Sequence, residues 1–425
     1  MKRWIWIPVV IVVIGAFVSW RAFSADIESR PDVPVTPEMI ERGRYLAVAA
    51  DCIACHTAPG GEPFAGGLEF DLGEMGKLYS SNITPDEETG IGTWSDDDFR
   101  RAMHLGIGKG GKRLYPAFPY ASYSMLTDED VLAIKAYLFS LEPVKNTPPP
   151  NEMKWPYNQR WLMAYWNWLF NPAEQFVPDE SQSPEWNRGK YLVEGLGHCG
   201  ECHTPRNFLQ GPKRSQAFGG AVTRGWHAYN ISSDPEHGIG SWTDEQLVSY
   251  FTRGYAEGRG PASGPMAEVI SHSLRHLTEE DIRAMIVYLR STKPIDSGIP
   301  APRVAEAAQP ADAGDENEHG RQMFAALCSN CHKADGSARQ IPYEALRGER
   351  ALADPHGTNL TQVVLYGTEV HTPYGRISMP GFGDGHTDSD LAAVINYAAA
   401  KLGGQKLNIT PEEVAKRRTR PPARL

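Results

Sequence analysis

The most apolar segment of the chain lies at its N-terminus, where residues 4–20 contain no charged side chain. Lys2 and Arg3 precede this run, Arg21 follows it, and tryptophans stand at both of its ends. Its length is near the lower limit for a membrane-spanning helix and slightly above that of a usual signal-peptide core. Residues 1–25 are therefore predicted to be an uncleaved membrane anchor, which the flanking tryptophans favour, or a cleaved export signal.

Behind the apolar run, a helical pattern occurs three times. Each repeat begins with an amphipathic segment that carries a glycine followed by a basic residue, and ends with a Thr-x-x-Asp capping signal before apolar residues at helical spacing. The glycines are Gly43, Gly189 and Gly320. The capping threonines are Thr127, Thr278 and Thr387. Because strand signals are scarce, we predict an all-α chain.

An asparagine motif lies in the middle of each repeat, at Asn82, Asn230 and Asn359. The three asparagines match the glycosylation sequon, but their repetition favours a role in loop hydrogen bonding. The first two repeats also share a Gly-Ile-Gly-x-Trp segment, beginning at Gly90 and Gly238, which the third repeat lacks.

Composition sets the boundaries between the repeats. We predict domains over residues 35–145, 183–292 and 318–404. An aromatic-rich connector (146–182) and a flexible linker rich in Ala, Pro, Asp and Glu (293–317) separate them, and a basic tail (405–425) follows. The tail is interpreted either as a solvated, disordered end or as a contact with anionic lipid headgroups.

The connector contains seven aromatic residues within positions 155–170. One interpretation is a helix buried between the first two repeats. The other is an aromatic surface for a membrane interface or a partner subunit.

Charge narrows the range of functions. The formal net charge is −10 and the sequence pI is about 5.7, whereas a nucleic-acid-binding protein usually carries a basic face. We therefore expect no nucleic-acid partner.

All six cysteines lie in three Cys-x-x-Cys-His motifs, the pattern of c-type haem attachment. Two thiols add across the haem vinyl groups, and the adjacent imidazole becomes the proximal iron ligand. A zinc site would need two cysteine pairs close together, and a thioredoxin-like pair does not need the histidine. We therefore predict three covalently bound haem c groups, formed outside the cytoplasm. The attachment residues are Cys52, Cys55, Cys199, Cys202, Cys328 and Cys331, and the proximal ligands are His56, His203 and His332.

A methionine in a loop before the last helix would complete a His/Met-ligated haem, which suits electron transfer. Met266 precedes Thr278 and Met379 precedes Thr387 at suitable spacing, so both are predicted ligands. The histidines that compete with them are His272, His276, His371 and His386.

The first repeat departs from this pattern. Counting from the shared Gly-Ile-Gly segment places Phe118 at the expected ligand position, and counting from the haem histidine gives nearly the same answer. Met125 is the nearest substitute, and Met103 and His104 are further candidates. Either the chain brings Met125 to the iron or the first haem has an open position.

Together these features resemble the tri-haem cytochrome c subunits of bacterial membrane-bound dehydrogenases. The resemblance rests on the three attachment motifs, on Asn-Ile-Thr-Pro followed by Gly-Ile-Gly-x-Trp, and on the segments 114–120 and 158–163. Relatives serve alcohol, aldehyde, gluconate, sorbitol and fructose dehydrogenases. Two features differ: Phe118 stands where many relatives have Met, and the apolar segment is N-terminal rather than near the C-terminus.

The resemblance implies three tandem class I cytochrome c domains. From the N-terminal apolar run and the basic residues before it, we expect these domains to follow an anchor in the inner membrane and to face the periplasm. The resemblance also implies a separate catalytic subunit of flavin, pyrroloquinoline quinone or molybdenum type, and ubiquinone or another acceptor for the electrons. We therefore expect an electron-transfer subunit without substrate chemistry of its own. The alternative is a haem enzyme that acts on a small molecule at an open first haem.

Overall fold

The computed structural model describes residues 6–299 and 317–419, with side chains described from residue 15 onward. Helices are its main regular elements. In chain order they are α1 (Trp6–Phe23), α2 (Pro37–Ala49), α3 (Cys52–Cys55), α4 (Asp96–Leu105), α5 (Tyr120–Tyr123), α6 (Asp128–Phe139), α7 (Leu162–Phe170), α8 (Pro184–Lys190), α9 (Gly200–His203), α10 (Asp244–Arg253), α11 (Gly264–His272), α12 (Glu279–Arg290), α13 (Glu318–Leu327), α14 (Ser329–His332), α15 (Arg350–Ala353), α16 (Thr358–Tyr366), α17 (Asp388–Gly403) and α18 (Pro411–Arg418).

Short antiparallel strands, which the all-α prediction did not include, connect the helices. They are β1 (Glu69–Asp71), β2 (Gly76–Tyr79), β3 (Ile107–Gly108), β4 (Lys112–Arg113), β5 (Glu152–Met153), β6 (Ala221–Thr223), β7 (Trp226–Ala228), β8 (Tyr255–Ala256), β9 (Gly260–Pro261), β10 (Gly367–Thr372) and β11 (Gly375–Pro380). Strands β1, β2 and β5 form one sheet in that order, and the others pair as hairpins. Most are two or three residues long, too short for an alternating pattern to identify them in the sequence.

The repeats predicted from the sequence appear as three crossing helix pairs: α2 with α6, α8 with α12, and α13 with α17. The repeated glycine lies at each crossing, where a Cβ atom would collide with a backbone oxygen of the second helix. The distances from that Cβ position are 1.8 Å for Gly43 to Ala133 O, 1.9 Å for Gly189 to Ala284 O, and 2.3 Å for Gly320 to Ala393 O. The glycines therefore permit a close approach that no other residue allows.

The three predicted helix caps are confirmed. The side chains of Thr127, Thr278 and Thr387 each accept a hydrogen bond from the backbone N–H of an aspartate three residues later. That aspartate also pairs with the first helix of its own pair. The pairs are Arg42–Asp130 at 2.5 Å, Arg188–Asp281 at 2.6 Å and His319–Asp390 at 2.8 Å.

The chain forms two compact units. The first contains residues up to Gln182 together with Tyr191–Glu201 and Arg206–Pro212. The second contains Ser183–Lys190, Cys202–Pro205 and the residues from Lys213 onward.

The predicted basic tail is structured in its described part. Helix α18 buries Val414 in the apolar core of the third repeat, and Arg418 pairs with Asp388 at 2.7 Å. The interpretation of the tail as a solvated, disordered end was therefore wrong for its described part, because Leu407 and Ile409 also lie in this core and Arg417 donates to Gly357 O and Thr358 O. Residues 420–425 lie outside the described residues, as do 300–316 of the predicted linker.

Helix α1 covers most of the predicted anchor, while residues 1–5 lie outside the described residues. Within the described part of the chain, no helix is both long and apolar enough to cross a membrane.

Candidate haem-attachment sites

Each Cys-x-x-Cys-His motif lies in or beside a single short helical turn, α3, α9 or α14. Residues three apart face the same side of a helix, and this applies directly to Cys52 and Cys55, the first and last residues of α3. In the first and third motifs the backbone N–H of the histidine donates to the carbonyl of the first cysteine, at 3.0 Å in both. None of the six cysteines, which all lie in the described part of the chain, forms a disulfide. Burial raises the pKa of Cys52 to about 12 and that of Cys328 to about 11, so both are protonated at neutral pH.

The three proximal histidines share one hydrogen-bond arrangement. Each donates Nδ1–H to a backbone carbonyl, because a carbonyl oxygen can only accept. The distances are 2.7 Å from His56 to Ser81 O, 2.6 Å from His203 to Tyr229 O, and 2.6 Å from His332 to Glu344 O. With Nδ1 protonated, the lone pair is on Nε2, which is the form that ligates a metal.

Burial also keeps two of these rings neutral. It lowers the pKa of His56 and lowers that of His203 to about 4, against the opposing effect of the bonds to Ser81 O and Tyr229 O. Two thiols on one helical face, followed by a neutral imidazole with a free Nε2, are the donor set that a covalently attached haem requires. The residues therefore fit the group that the sequence predicted.

Asn82 and Asn230 hold the loops whose carbonyls bind the first two histidines, directly after Ser81 and Tyr229. Each amide nitrogen donates to a backbone oxygen beyond the last helix of its repeat, and each amide oxygen accepts from the N–H two residues later. The bonds are Asn82 Nδ2 to Val144 O (2.7 Å), Thr84 N to Asn82 Oδ1 (2.9 Å), Asn230 Nδ2 to Ile295 O (2.6 Å) and Ser232 N to Asn230 Oδ1 (2.8 Å). The predicted loop-bonding role is confirmed for these two asparagines.

Asn359 is not the third copy of this feature, so that part of the predicted repeat was wrong. It lies inside α16, where its side chain accepts from His227 N at 2.7 Å and donates to His227 O at 2.9 Å. The carbonyl that binds His332 comes from Glu344, only 12 residues further on, compared with separations of 25 and 26 in the other repeats. The missing Gly-Ile-Gly segment was the available signal that this loop is shorter.

Met266 and Met379 precede the last helices of their repeats, as predicted, but neither lies in a loop. Met266 is half-buried in the first turn of α11, and Met379 is half-buried in β11, where it pairs with Thr368. Thr368 Oγ1 accepts a hydrogen bond from Gly264 N at 3.2 Å. This bond connects the two segments that carry the predicted ligands, within the second unit.

The competing histidines have protein partners. His371 contacts Glu369 at 3.0 Å, and His276 lies 3.2 Å from Ser271 O. The His272 ring lies 6.4 Å from that of His371, and the His386 ring lies 6.0 Å from that of Phe382.

In the first repeat, Phe118 is half-buried and packs 5.5 Å from the Tyr123 ring. Met125 is half-buried in the turn between α5 and α6, with its backbone fixed by bonds to Ser122 O (3.1 Å) and from Phe176 N (2.8 Å). Met103 is buried in α4.

His104, also buried in α4, lies 3.2 Å from the carboxylate of Asp128. Burial lowers the pKa of His104. Of these three candidate ligands, His104 is therefore the one whose side chain is already engaged with a carboxylate.

Sequence analysis missed Arg350, a cation of the third repeat. It lies beside the loop of the second repeat whose Tyr229 carbonyl binds His203. It donates to Asn230 O at 3.2 Å, to Ile299 O at 3.3 Å and to His237 O, and its guanidinium lies 4.7 Å from the Tyr229 ring. Burial lowers the pKa of Arg350 to about 10, which leaves it charged at neutral pH. No local sequence motif identifies such a residue, because its hydrogen-bond acceptors lie between 51 and 120 positions away in the chain.

Glu349, the neighbour of Arg350, has one carboxylate oxygen without a hydrogen-bond partner. Burial raises the pKa of Glu349 to about 8, although bonds from the backbone of residues 350 and 351 oppose the rise. The carboxyl group is therefore mostly protonated at neutral pH.

Two family models match parts of the chain. One, described as cytochrome c, matches residues 40–142, and one described as cytochrome c oxidase, cbb3-type, subunit III matches residues 315–397. These ranges contain the first and third attachment motifs. They confirm mostly helical cytochrome c domains and, with them, covalent haem c.

Relatives extend the similarity over most of the chain. The gluconate 2-dehydrogenase cytochrome c subunit of Pantoea cypripedii is 38% identical, with 89% of each chain covered. The fructose dehydrogenase cytochrome subunit of Gluconobacter japonicus is 36% identical over 88% of this chain and 82% of its own. A nicotinate dehydrogenase subunit of Pseudomonas putida is 39% identical over 91% of this chain, which spans 32% of that longer protein. The chain belongs to the family of cytochrome c subunits of dehydrogenases.

Proposed function

We propose that the chain is an electron-transfer subunit that carries three covalent haem c groups. It takes electrons from a separate dehydrogenase catalytic subunit and passes them to ubiquinone or another acceptor of the respiratory chain. The observation that carries the proposal is the threefold repetition of a thiol pair and a histidine whose Nδ1 is held by a backbone carbonyl.

A bound haem supplies an iron that takes up and releases one electron. The residues of the chain attach it and hold its ligand in place. Cys52, Cys199 and Cys328, with their partners three residues later, would form the thioethers. His56, His203 and His332 would bind through Nε2, with ring orientation set by the hydrogen bond at Nδ1.

We propose Met266, Met379 and Met125 as the residues that would supply a second protein ligand to each iron. His/Met ligation raises the potential and suits electron transfer. Met266 and Met379 have support from their position before the last helix of each repeat. Met125 has support from its half-buried place in the turn before α6, next to the segment that carries Phe118.

The partner and the location follow from the relatives and from the N-terminus. Relatives are named as subunits of gluconate, fructose and nicotinate dehydrogenases, which supports a catalytic partner of flavin, pyrroloquinoline quinone or molybdenum type. The uncharged run 4–20 supports attachment to the inner membrane with the rest of the chain in the periplasm, where haem c is attached.

The proposal is tested on the purified, fully matured chain. Mass spectrometry of the denatured protein and a pyridine haemochrome assay should give three covalent haems per chain, and Cys202→Ser should weaken one attachment. The co-purified catalytic subunit should reduce all three haems when its substrate is added. A count of two or fewer, or haems that stay oxidised, would contradict the proposal.

A second candidate function rests on Phe118, whose ring cannot ligate iron. If the first haem has an open position, the chain would act on a small molecule there. Ferrous spectra with and without carbon monoxide separate the two functions. A Met125-ligated haem should bind carbon monoxide only after Met125→Leu, whereas an open haem should bind it promptly in the unmodified protein.

A further inference from the structure

Helix α7 has an inverted arrangement of polar and apolar residues. Its buried side contains Asn167, and the following Asn171 is buried as well. Asn167 Nδ2 donates to Leu105 O and Asn171 Nδ2 donates to His104 O, both at 2.7 Å. These amides satisfy the last carbonyls of α4, and they fix α7 on the first unit with its polar side inward.

The outward side of α7 is apolar. Trp161, Trp168 and Leu169 are 52%, 42% and 51% exposed. A helix on the surface of a water-soluble domain shows the reverse pattern, with its apolar stripe toward the core. The exposed apolar side of α7 is therefore expected to contact a membrane or another apolar surface rather than water.

Two neighbouring segments of the same unit extend this surface. At the end of α1, Ser19 Oγ lies 2.9 Å from Tyr165 OH, and the Phe23 ring lies 5.8 Å from the Tyr165 ring. In the loop 206–212, Leu209 O accepts from Trp166 Nε1 at 3.0 Å. We call this surface the aromatic face; its most exposed members are Phe17, Trp20, Trp155, Trp161, Trp168 and Phe208.

The aromatic face contains every tryptophan that is exposed among the described side chains, namely Trp20, Trp155, Trp161 and Trp168. Tryptophan and tyrosine are enriched where a protein meets the headgroup layer of a membrane, because their rings have an apolar body and a polar edge. This composition distinguishes the face from a general apolar patch.

Basic residues accompany the aromatic rings. The Arg113 guanidinium lies 5.7 Å from the Phe23 ring, and the Arg160 guanidinium lies 4.5 Å from the Tyr115 ring. The chain as a whole carries a net charge of −10, so the positive charges beside this face are opposite in sign to the net charge of the chain. It complements the phosphate groups of anionic lipids.

We propose that the aromatic face is inserted into the headgroup layer of the bilayer, with α7 lying along the membrane surface. The end of α1 that packs on α7 continues directly into the uncharged run 4–20, so a membrane that receives this run would also meet the aromatic face. The inference rests on the proposed membrane location. It adds a second contact, which holds the first repeat at the lipid surface through α4 and α7.

The test uses the full-length, haem-loaded protein in vesicles of equimolar phosphatidylethanolamine and phosphatidylglycerol. The lipids carry a photoactivatable diazirine on one acyl chain, and labelled peptides are identified by mass spectrometry. Peptides covering 155–170 and Phe208 should be labelled. Peptides with Val222 and Tyr374, which are 66% and 75% exposed, should not be, because these residues do not belong to the aromatic face.

A matched pair of variants makes the test specific. Trp161→Ser combined with Trp168→Ser should reduce labelling of the peptides around α7 by roughly tenfold or more, because both apolar anchors are lost. Val222→Ser combined with Tyr374→Ser should leave that labelling unchanged. Equal labelling in both double variants would overturn the proposal.

Three further results would refute it and separate it from the proposed function. Labelling confined to residues 1–23 would leave the anchor and the electron-transfer role intact but would exclude lipid from α7 and the loop 206–212. A face that is protected from a soluble carbene reagent only when the catalytic subunit is bound would be a protein interface instead. Absence of lipid labelling anywhere would remove the membrane location itself, while the haem count and reduction by the partner would still report on electron transfer.

Discussion

Replacing Glu349 by Gln should make the second unit more stable, and by an amount that grows with pH. Burial raises the pKa of this carboxyl from 4.5 to about 8 in the folded chain. The unfolded chain therefore loses the proton first, so the folded state loses relative stability as the pH rises from about 4.5 to about 8. Gln keeps an oxygen that can accept from Ala351 N, as Glu349 does at 3.3 Å, but it cannot ionise.

The size of the effect follows from the separation of the two pKa values. Each pH unit between them corresponds to about 1.4 kcal/mol. Integrated from low pH, the difference in unfolding free energy between Glu349→Gln and the unmodified chain should reach about 1 kcal/mol at pH 5 and about 3 kcal/mol at pH 7. The structural reason is burial, which outweighs the backbone bonds to this carboxyl and leaves its second oxygen, Oε2, without a hydrogen-bond donor.

The assay is denaturant unfolding of the haem-loaded protein at pH 5, 6, 7 and 8, followed by far-ultraviolet circular dichroism. Glu257→Gln, an exposed carboxylate of the same unit, serves as the control and should show no such growth with pH. If the stability of Glu349→Gln follows the same pH dependence as the unmodified chain, the carboxyl is not held protonated and the reasoning fails.

Three other changes should give distinct results. Met266→Leu and Met379→Leu should each convert one haem to a high-spin or altered low-spin form and lower its reduction potential. Optical and electron paramagnetic resonance spectra and a redox titration would show these changes. Unchanged spectra in both variants would exclude the two methionines as ligands. Arg350→Met should lower the midpoint potential of one haem, on the order of tens of millivolts, because a buried cation favours the reduced form, while Arg350→Lys should preserve most of it in spectroelectrochemical titration. Gly189→Ala should lower the unfolding free energy by about 1–3 kcal/mol, because the new Cβ atom would collide with Ala284 O, and this cost exceeds the gain from the better helix propensity of alanine. Gly385→Ala is the control, because Gly385 has open space around it; this change should alter the unfolding free energy by less than about 0.5 kcal/mol.

The features that the sequence predicted correctly are local ones. A capping threonine with an aspartate three residues later depends only on neighbours within a few positions. Thr127 illustrates this, because it makes the same bond as Thr278 and Thr387 in the other repeats.

The features that the sequence did not show depend on distant residues. Asn359 has the same local pattern as Asn82, but a shorter loop in the third repeat gives its side chain to His227 instead. The inverted orientation of α7 depends on the free carbonyls at the end of α4, which two asparagines happen to reach. Neither outcome follows from periodicity, since the competing contacts lie more than sixty positions away.

Two hydrogen-bonded connections join the second and third repeats within the second unit. In the first, Glu344 O binds His332, and Arg350, six residues further along, binds the loop whose carbonyl holds His203. In the second, Gly264, two residues before Met266, binds Thr368, which pairs with Met379. A displacement of one of these segments would therefore have to break hydrogen bonds in both connections before it moved relative to the other. If His203 and His332 each hold a haem, as we propose, these connections would restrain the separation of the two haems, on which electron transfer between them depends.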